Sequence, residues 1–166
     1  TIRVMGSSRF CKEWREILPI ICPAPPLSPT VESGRFSVVL FVPDWAYFVN
    51  HDATVSLIQA IAKLPNIQLT AKQNTRGTGA LTLEILPSAT ERDTNLAIVG
   101  DDYHSVSLIE QADCVINFAS SIAIDAIASG KVVINPRYLT ANSTIFDNSG
   151  AVVDTFDESE TIKHIE

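Results

Sequence analysis

The stretch INFASSIAIDAIASGKVVINP, residues 116–136, decides the fold of this chain. Its pattern predicts a strand, a turn of small residues, an apolar helix and a second strand. An apolar helix surface is what packing on a sheet requires, yet this helix also carries Ser121, Asp125 and Ser129. Because these three residues recur every fourth position, we expect them to form one polar stripe along the helix.

Strands and helices alternate along most of the chain. The run FSVVLFVP, residues 36–43, is typical of a strand buried on both faces, whereas residues 81–86 fit either a strand or a helical turn. The alternation predicts an α/β fold, a doubly wound, mainly parallel sheet with helices on both faces. The other predicted elements are helices at 52–65 and 104–112 and strands at 66–72, 95–100, 113–118 and 151–156.

Proline usage divides the chain into three segments. Residues 1–18 are predicted to be a lead-in strand and helix. Residues 19–34 are a Pro-rich connector, since five of the nine prolines fall within 19–29. Residues 35–166 then form a Rossmann-like domain with a regular alternation of elements.

Composition limits the classes of function. With 166 residues and 46% hydrophobic content, the chain can bury one core. A net charge of −7 leaves little material for a basic face, so we expect no nucleic acid polymer as partner. The three cysteines form no CxxC pair, which predicts reduced thiols in a cytoplasmic protein and no metal site. No apolar run is long enough for a transmembrane segment.

The start of the helix in 116–136 is the predicted binding site. Open parallel sheets bind ligands beyond the carboxyl ends of their strands, and a helix N-terminus attracts anions. Ser120 and Ser121 fit a phosphate there, although serine is also a common N-cap without any ligand. Asp125 lies one turn further, ~5.4 Å along the axis, and fits the hydroxyls of a ribose. The alternative is a buried carboxylate paired with a neighbouring donor.

Other polar residues follow the predicted strands at the same edge of the sheet. Asp102 or Ser105 is favoured as the cap of the helix that follows them. At Ser7–Arg9, a helix cap and an anion-binding turn are equally good interpretations. No constellation for nucleophilic catalysis is present, so the catalytic residues are not assigned. The candidates for lining the cleft are Ser7, Ser8, Arg9, Asp101, His104, Arg137 and Asn142.

Residues 112–136, ADCVINFASSIAIDAIASGKVVINP, resemble the donor-binding signature of the C-terminal half of GT-B-type glycosyltransferases. The similarity is to bacterial surface and capsular polysaccharide transferases and to UDP-N-acetylglucosamine 2-epimerase. MGSSRFCKEWREIL, residues 5–18, also resembles the segment that opens this half. The resemblance implies that Ser120 and Ser121 bind a nucleotide diphosphate and that Asp125 binds the ribose.

A second motif of those families is matched in part. Many members carry Lys-x-His-Pro-Arg after the second strand of this half. Lys72 and Arg76 match its two cations, which the resemblance assigns to the diphosphate, whereas the His and the Pro are absent from residues 72–76.

The resemblance implies a donor-binding domain of a glycosyltransferase that moves a sugar from a nucleotide-sugar to a surface-glycan acceptor. The nucleotide-sugar, of UDP or CDP type, is a substrate, and no further cofactor is expected. A GT-B enzyme has two halves, so the N-terminal acceptor-binding domain would lie outside this chain, and the isolated chain would be inactive. That missing half could bring a cytoplasmic protein to the inner face of the membrane. The alternatives are half of a UDP-sugar epimerase and a non-enzymatic α/β module that binds a nucleotide or a partner.

Overall fold

The computed structural model describes residues 7, 10–23, 34–45, 48–73, 95–100 and 102–166. The predicted strand at 2–6, the ambiguous segment 81–86 and most of the Pro-rich connector lie outside these residues. The described strands are β1 (Phe36–Val42), β2 (Ile67–Gln73), β3 (Leu96–Val99), β4 (Cys114–Asn117), β5 (Val132–Pro136) and β6 (Val153–Thr155). The helices are α1 (Lys12–Ile21), α2 (His51–Ala62), α3 (Ser105–Gln111), α4 (Ile122–Ala128) and α5 (Glu158–Ile165), with one 3-10 turn at Arg137–Leu139.

The six strands form one parallel sheet in the order β3-β2-β1-β4-β5-β6. The chain builds the sheet outward from β1 in one direction and then returns to build it outward from β4 in the other. The predicted doubly wound parallel fold is therefore confirmed. The topological switch point lies between β1 and β4, where crevices for ligands form in open parallel sheets.

Strand β1 lies at the centre of the sheet because its residues are apolar on both faces. Val38 and Leu40 pack into one core cluster together with Leu57 and Ile61 of α2. Val39 packs into the cluster on the opposite face, which includes residues of α3 and α4. Because both faces of the strand are buried, its sequence is a continuous apolar run and does not alternate between apolar and polar residues.

Most element boundaries lie within one to three residues of the predicted ones, and the differences at α1 and α2 are the most informative. Helix α1 continues to Ile21 and includes Pro19, so it extends over the first three residues of the predicted connector, which begins at residue 19. Helix α2 begins one residue before the predicted helix, and its N-cap is Asn50, whose side-chain oxygen accepts a hydrogen bond from the Ala53 amide at 3.2 Å. The sequence pattern predicts Asp52 as the cap of this helix, but Asp52 lies in the first turn.

The loop after β1 is joined to the segment after β5. Val49 and Thr140 form an isolated antiparallel bridge. The amide of Asn50 donates to the carbonyl of Leu139 at 2.8 Å, and the amide of Ala141 donates to the carbonyl of Phe48 at 3.2 Å. Strands β1 and β5 flank β4, so this bridge connects the two sides of the switch point. No helix in the described part of the chain is long and apolar enough to cross a membrane.

Candidate functional site

The turn between β4 and α4 has an unusual backbone. Ala119 has a φ of 56°, in the left-handed region that non-glycine residues rarely occupy. Asn117, the last residue of β4, donates from its side-chain amide to the carbonyl of Ser120 at 2.9 Å. The turn that sequence analysis assigned to a diphosphate is therefore held in one conformation by a buried side chain.

The two serines of this turn have different environments. The hydroxyl of Ser120 accepts a long hydrogen bond, 3.4 Å, from the amide of Ile122. Ser121 occupies the N-cap position of α4, but its exposed side chain makes no capping hydrogen bond. The common N-cap role of serine thus accounts for Ser120 better than for Ser121.

Asp125 lies on the side of α4 that faces away from the sheet core. Its neighbours Ala123 and Ala126 pack into the core cluster on that face of the sheet. Asp125 itself is only 8% exposed. It is covered by α1, which lies over α3 and α4 and is anchored at its end by a 2.5 Å hydrogen bond from the Ser107 hydroxyl to the Cys22 carbonyl. The carboxylate therefore lies beneath a helix rather than on an open surface.

A cavity of about 630 Å³ separates α1 from the ends of α3 and α4. Asp125 borders it on one side, and His104 and Val106 border it on another. Helix α1 supplies the facing wall through Cys11, Glu13, Trp14, Ile17 and Leu18. This volume is in the range of pockets that hold small-molecule ligands.

Two residues that the sequence predicts for the binding site border this cavity. Asp125 and His104 were both predicted as site residues, and the structure brings them to the same cavity. The contributions of Cys11, Glu13 and Trp14 were missed. Phe10, Trp14 and Leu18 recur at a spacing that predicts one face of a helix, but this spacing does not indicate which surface the helix covers.

His104 has a second role as the N-cap of α3. Its Nδ1 atom accepts a hydrogen bond from the amide of Val106 at 3.3 Å. The caps expected from the sequence, Asp102 and Ser105, are thus replaced by an imidazole. Because Nδ1 accepts, the neutral ring carries its proton on Nε2, which is then a donor.

Lys72 lies at the carboxyl end of β2 and is only 6% exposed. Its ammonium group donates to the carbonyl of Gly100 at 2.7 Å, in the segment after β3. It pairs with Phe41 of β1 in the sheet, and Phe41 in turn pairs with Asn117. Lys72 therefore lies at the same edge of the sheet as the β4–α4 turn. Arg76, the second predicted cation, lies outside the described residues.

Arg137 belongs to a polar network after β5. Its guanidinium forms an ion pair with Asp147 at 3.0 Å. Burial alone would raise the pKa of Asp147, but hydrogen bonds from Thr144 and Asn135 and the charge of Arg137 together hold it below its usual value. The amide of Asn142, a residue of the same loop, donates to the Thr140 hydroxyl at 3.1 Å. These contacts give Arg137 a structural role, and cleft lining by Arg137 and Asn142 stays a prediction.

The remaining predicted residues are mostly not described. Ser7 is exposed, and its carbonyl accepts a hydrogen bond from Phe10 at 3.0 Å just before α1. Ser8, Arg9 and Asp101 lie outside the described residues. Within the described ranges, no group of three metal-ligating side chains is close enough to hold a metal ion.

By sequence, the chain matches no protein-family model and no curated protein. By structure, it is similar to KpsC of Thermosulfurimonas dismutans, a β-Kdo 2,4 transferase, with 13% identity and a TM-score of 0.52 over 93% of this chain. It is similar to WaaG, a glycosyltransferase involved in lipopolysaccharide biosynthesis, with 13% identity and a TM-score of 0.55 over 96%. It is also similar to Anabaena HepE in complex with UDP-glucose, with 16% identity and a TM-score of 0.54 over 96%.

These similarities define the class of fold. The chain has the Rossmann-like fold of a GT-B glycosyltransferase half, so the resemblance noted in the sequence is confirmed at the level of the fold. It spans about half the length of these three structures, 51% of KpsC, 45% of WaaG and 43% of HepE.

Proposed function

We propose that this chain is the donor-binding half of a glycosyltransferase that uses a nucleotide-sugar. The observation that carries the proposal is the position of Asp125, a nearly buried carboxylate on α4, which follows the strand at the switch point and borders a ligand-sized cavity. The structural similarity to HepE, which was solved with UDP-glucose, supports the choice of a nucleotide-sugar.

The ligand's two polar parts have different requirements. The ribose hydroxyls donate hydrogen bonds to Asp125, which accepts them as a carboxylate. The diphosphate lies at the turn of Ser120 and Ser121, with Lys72 of the same sheet edge as one cation. The sequence resemblance assigns Arg76 as the second cation. During transfer this half positions the donor, and its amides and cations stabilise the charge on the leaving diphosphate.

The acceptor and the compartment are the further parts of the proposal. We assign a surface glycan as the acceptor because one structural neighbour is a Kdo transferase and another takes part in lipopolysaccharide biosynthesis. An acceptor-binding domain completes the enzyme, and any contact with the membrane surface is made through that domain. All three cysteines are free, as a reducing compartment allows, which supports a cytoplasmic location.

Calorimetric titration with UDP, CDP and their sugar conjugates tests the proposal. The chain should bind at least one nucleoside diphosphate, and Asp125→Asn should weaken binding at least tenfold, because the amide presents hydrogen-bond donors where the carboxylate accepted. The affinity for the nucleoside without phosphates should fall by the same factor, since the substitution acts on the contact with the ribose.

The matched control is Asp52→Asn, which removes the same charge from the exposed first turn of α2. It should bind as the unmodified chain does. No binding of any nucleotide at millimolar concentration would refute the proposal. Equal affinity of Asp125→Asn and the unmodified chain would refute the ribose role of Asp125 alone.

A further inference from the structure

Helix α1 is the part of the cavity that the β4–α4 signature does not account for. It precedes β1 in the chain, yet it supplies the wall that faces Asp125 and His104. None of its residues is fully buried, so the helix does not serve mainly to fill a core. Its Trp14 borders the cavity and remains 40% exposed.

The described lining of the cavity indicates which part of a ligand it suits. Most of the lining side chains are aliphatic or aromatic, Trp14, Ile17, Leu18 and Val106 among them. An apolar lining suits an uncharged planar group better than a diphosphate, and a carboxylate such as Asp125 accepts hydrogen bonds from hydroxyl groups. The cavity therefore suits the nucleoside end of the ligand, with the diphosphate outside it.

The apolar part of the lining fits a planar base. Trp14 presents an indole ring, and Val106 and Ile17 add aliphatic surface. Bases stack on aromatic side chains with little dependence on base identity. His104, whose Nδ1 is occupied by the Val106 amide, has its Nε2 proton left to donate to a base oxygen.

From these observations we infer that α1 is a functional wall of the nucleoside site and that Trp14 is the surface on which the base of the nucleotide-sugar stacks. This inference rests on the proposed function, because it deepens the description of the same binding site. It assigns a role in nucleoside binding to residues 11–18, which precede the Rossmann-like domain in the chain.

Trp14 fluorescence in a single-tryptophan chain is the direct test. The protein has two tryptophans, and Trp45→Phe leaves Trp14 as the only one. Uridine and UDP should both quench its emission, with a midpoint equal to the dissociation constant from calorimetry. Inorganic pyrophosphate should leave the emission unchanged, because the phosphates lie outside the cavity.

Two substitutions complete the test. Trp14→Ala should weaken binding of uridine and UDP by the same factor, roughly tenfold or more, whereas Trp14→Phe, which keeps a stacking ring, should recover most of the affinity. Affinity for pyrophosphate should not change in either variant. The exposed thiol of Cys11 gives an independent signal, since bound UDP should slow its alkylation.

The outcomes separate this inference from the proposal on which it rests. If UDP binds but neither Trp14 emission nor the affinity of Trp14→Ala changes, the base lies elsewhere and the inference is wrong, while the donor-binding function stands. If no nucleotide binds the unmodified chain, the proposed function itself fails. Should Trp14→Ala not fold, the emission of Trp45→Phe and the affinity of Trp14→Phe still decide the question.

Discussion

The side-chain amide of Asn117 donates a 2.9 Å hydrogen bond to the carbonyl of Ser120 and thereby closes the turn between β4 and α4. Asn117 is only 2% exposed, so water cannot replace this bond readily. The conformation of the proposed diphosphate turn is therefore determined by a residue of the strand that precedes it.

Asn117→Ala should destabilise the protein by about 1 kcal/mol, because the substitution removes a part-buried hydrogen bond together with the buried Oδ1 atom, which has no hydrogen-bond partner among the described residues. Urea unfolding measures the change. Asn66→Ala, at an exposed position between α2 and β2, is the matched control and should stay within about 0.5 kcal/mol of the unmodified chain. Equal stability of the two variants would show that the Asn117 bond does not support the turn.

The left-handed conformation of Ala119 predicts an unusual response to glycine. A non-glycine residue pays about 1–2 kcal/mol in that region, which offsets the backbone entropy that glycine loses on folding. Ala119→Gly should therefore change the free energy of unfolding by no more than about 0.5 kcal/mol. Ala128→Gly, in the last turn of α4, should cost about 1 kcal/mol. A loss at residue 119 as large as at 128 would mean that Ala119 carries no backbone strain.

The lowered pKa of Asp147 predicts an acid-dependent loss of stability. A carboxyl group with a depressed pKa in the folded state stabilises the protein above its ordinary pKa of 3.8, and this contribution is lost as pH falls through the folded value. Asp147→Asn should lower stability at pH 7 by roughly 1–3 kcal/mol. The difference in free energy of unfolding between the variant and the unmodified chain should shrink below about pH 4. Urea unfolding at a series of pH values measures this difference. A difference that does not change with pH would contradict a lowered pKa at Asp147.

The cysteines should differ strongly in reactivity. Cys11 is exposed, whereas Cys114 is buried in β4, and burial raises the pKa of the Cys114 thiol to about 12. Since the thiolate is the reactive form, iodoacetamide at pH 8 should modify Cys11 in the native protein and Cys114 only after unfolding. Mass spectrometry of the alkylated peptides measures this. Equal rates at both positions would show that the core around β4 opens readily.

The sheet could be predicted from the sequence because its signals are local. Strand β1 is apolar at every position from Val38 to Val42, and its short length, its valines and the proline that follows favour a strand over a buried helix. The turn, helix and strand of 116–136 were likewise recognisable from a pattern within about twenty residues.

The helix caps were harder to predict from the sequence, because several residues that commonly cap helices lie within a few positions of each helix start. At α2, Asn50 rather than Asp52 caps the helix, and at α3 an imidazole takes the place expected for Asp102 or Ser105. Which side chain caps depends on the backbone angles of the entering loop, which composition does not determine.

The position of α1 could not be predicted. Its contacts join residues 11–18 to residues 104–125, and the path between them passes through a proline-rich segment. Such long-range packing depends on the shape of the finished α3–α4 surface, so the sequence pattern of α1 reveals its amphipathic character but not its partner.

The bridge between Val49 and Thr140 has a consequence for how the crevice moves. Residues 48–50, after β1, and residues 139–141, after β5, are joined by backbone hydrogen bonds. We therefore expect these two segments to unfold locally as one cooperative unit. Their amides should exchange with solvent deuterium at one common rate.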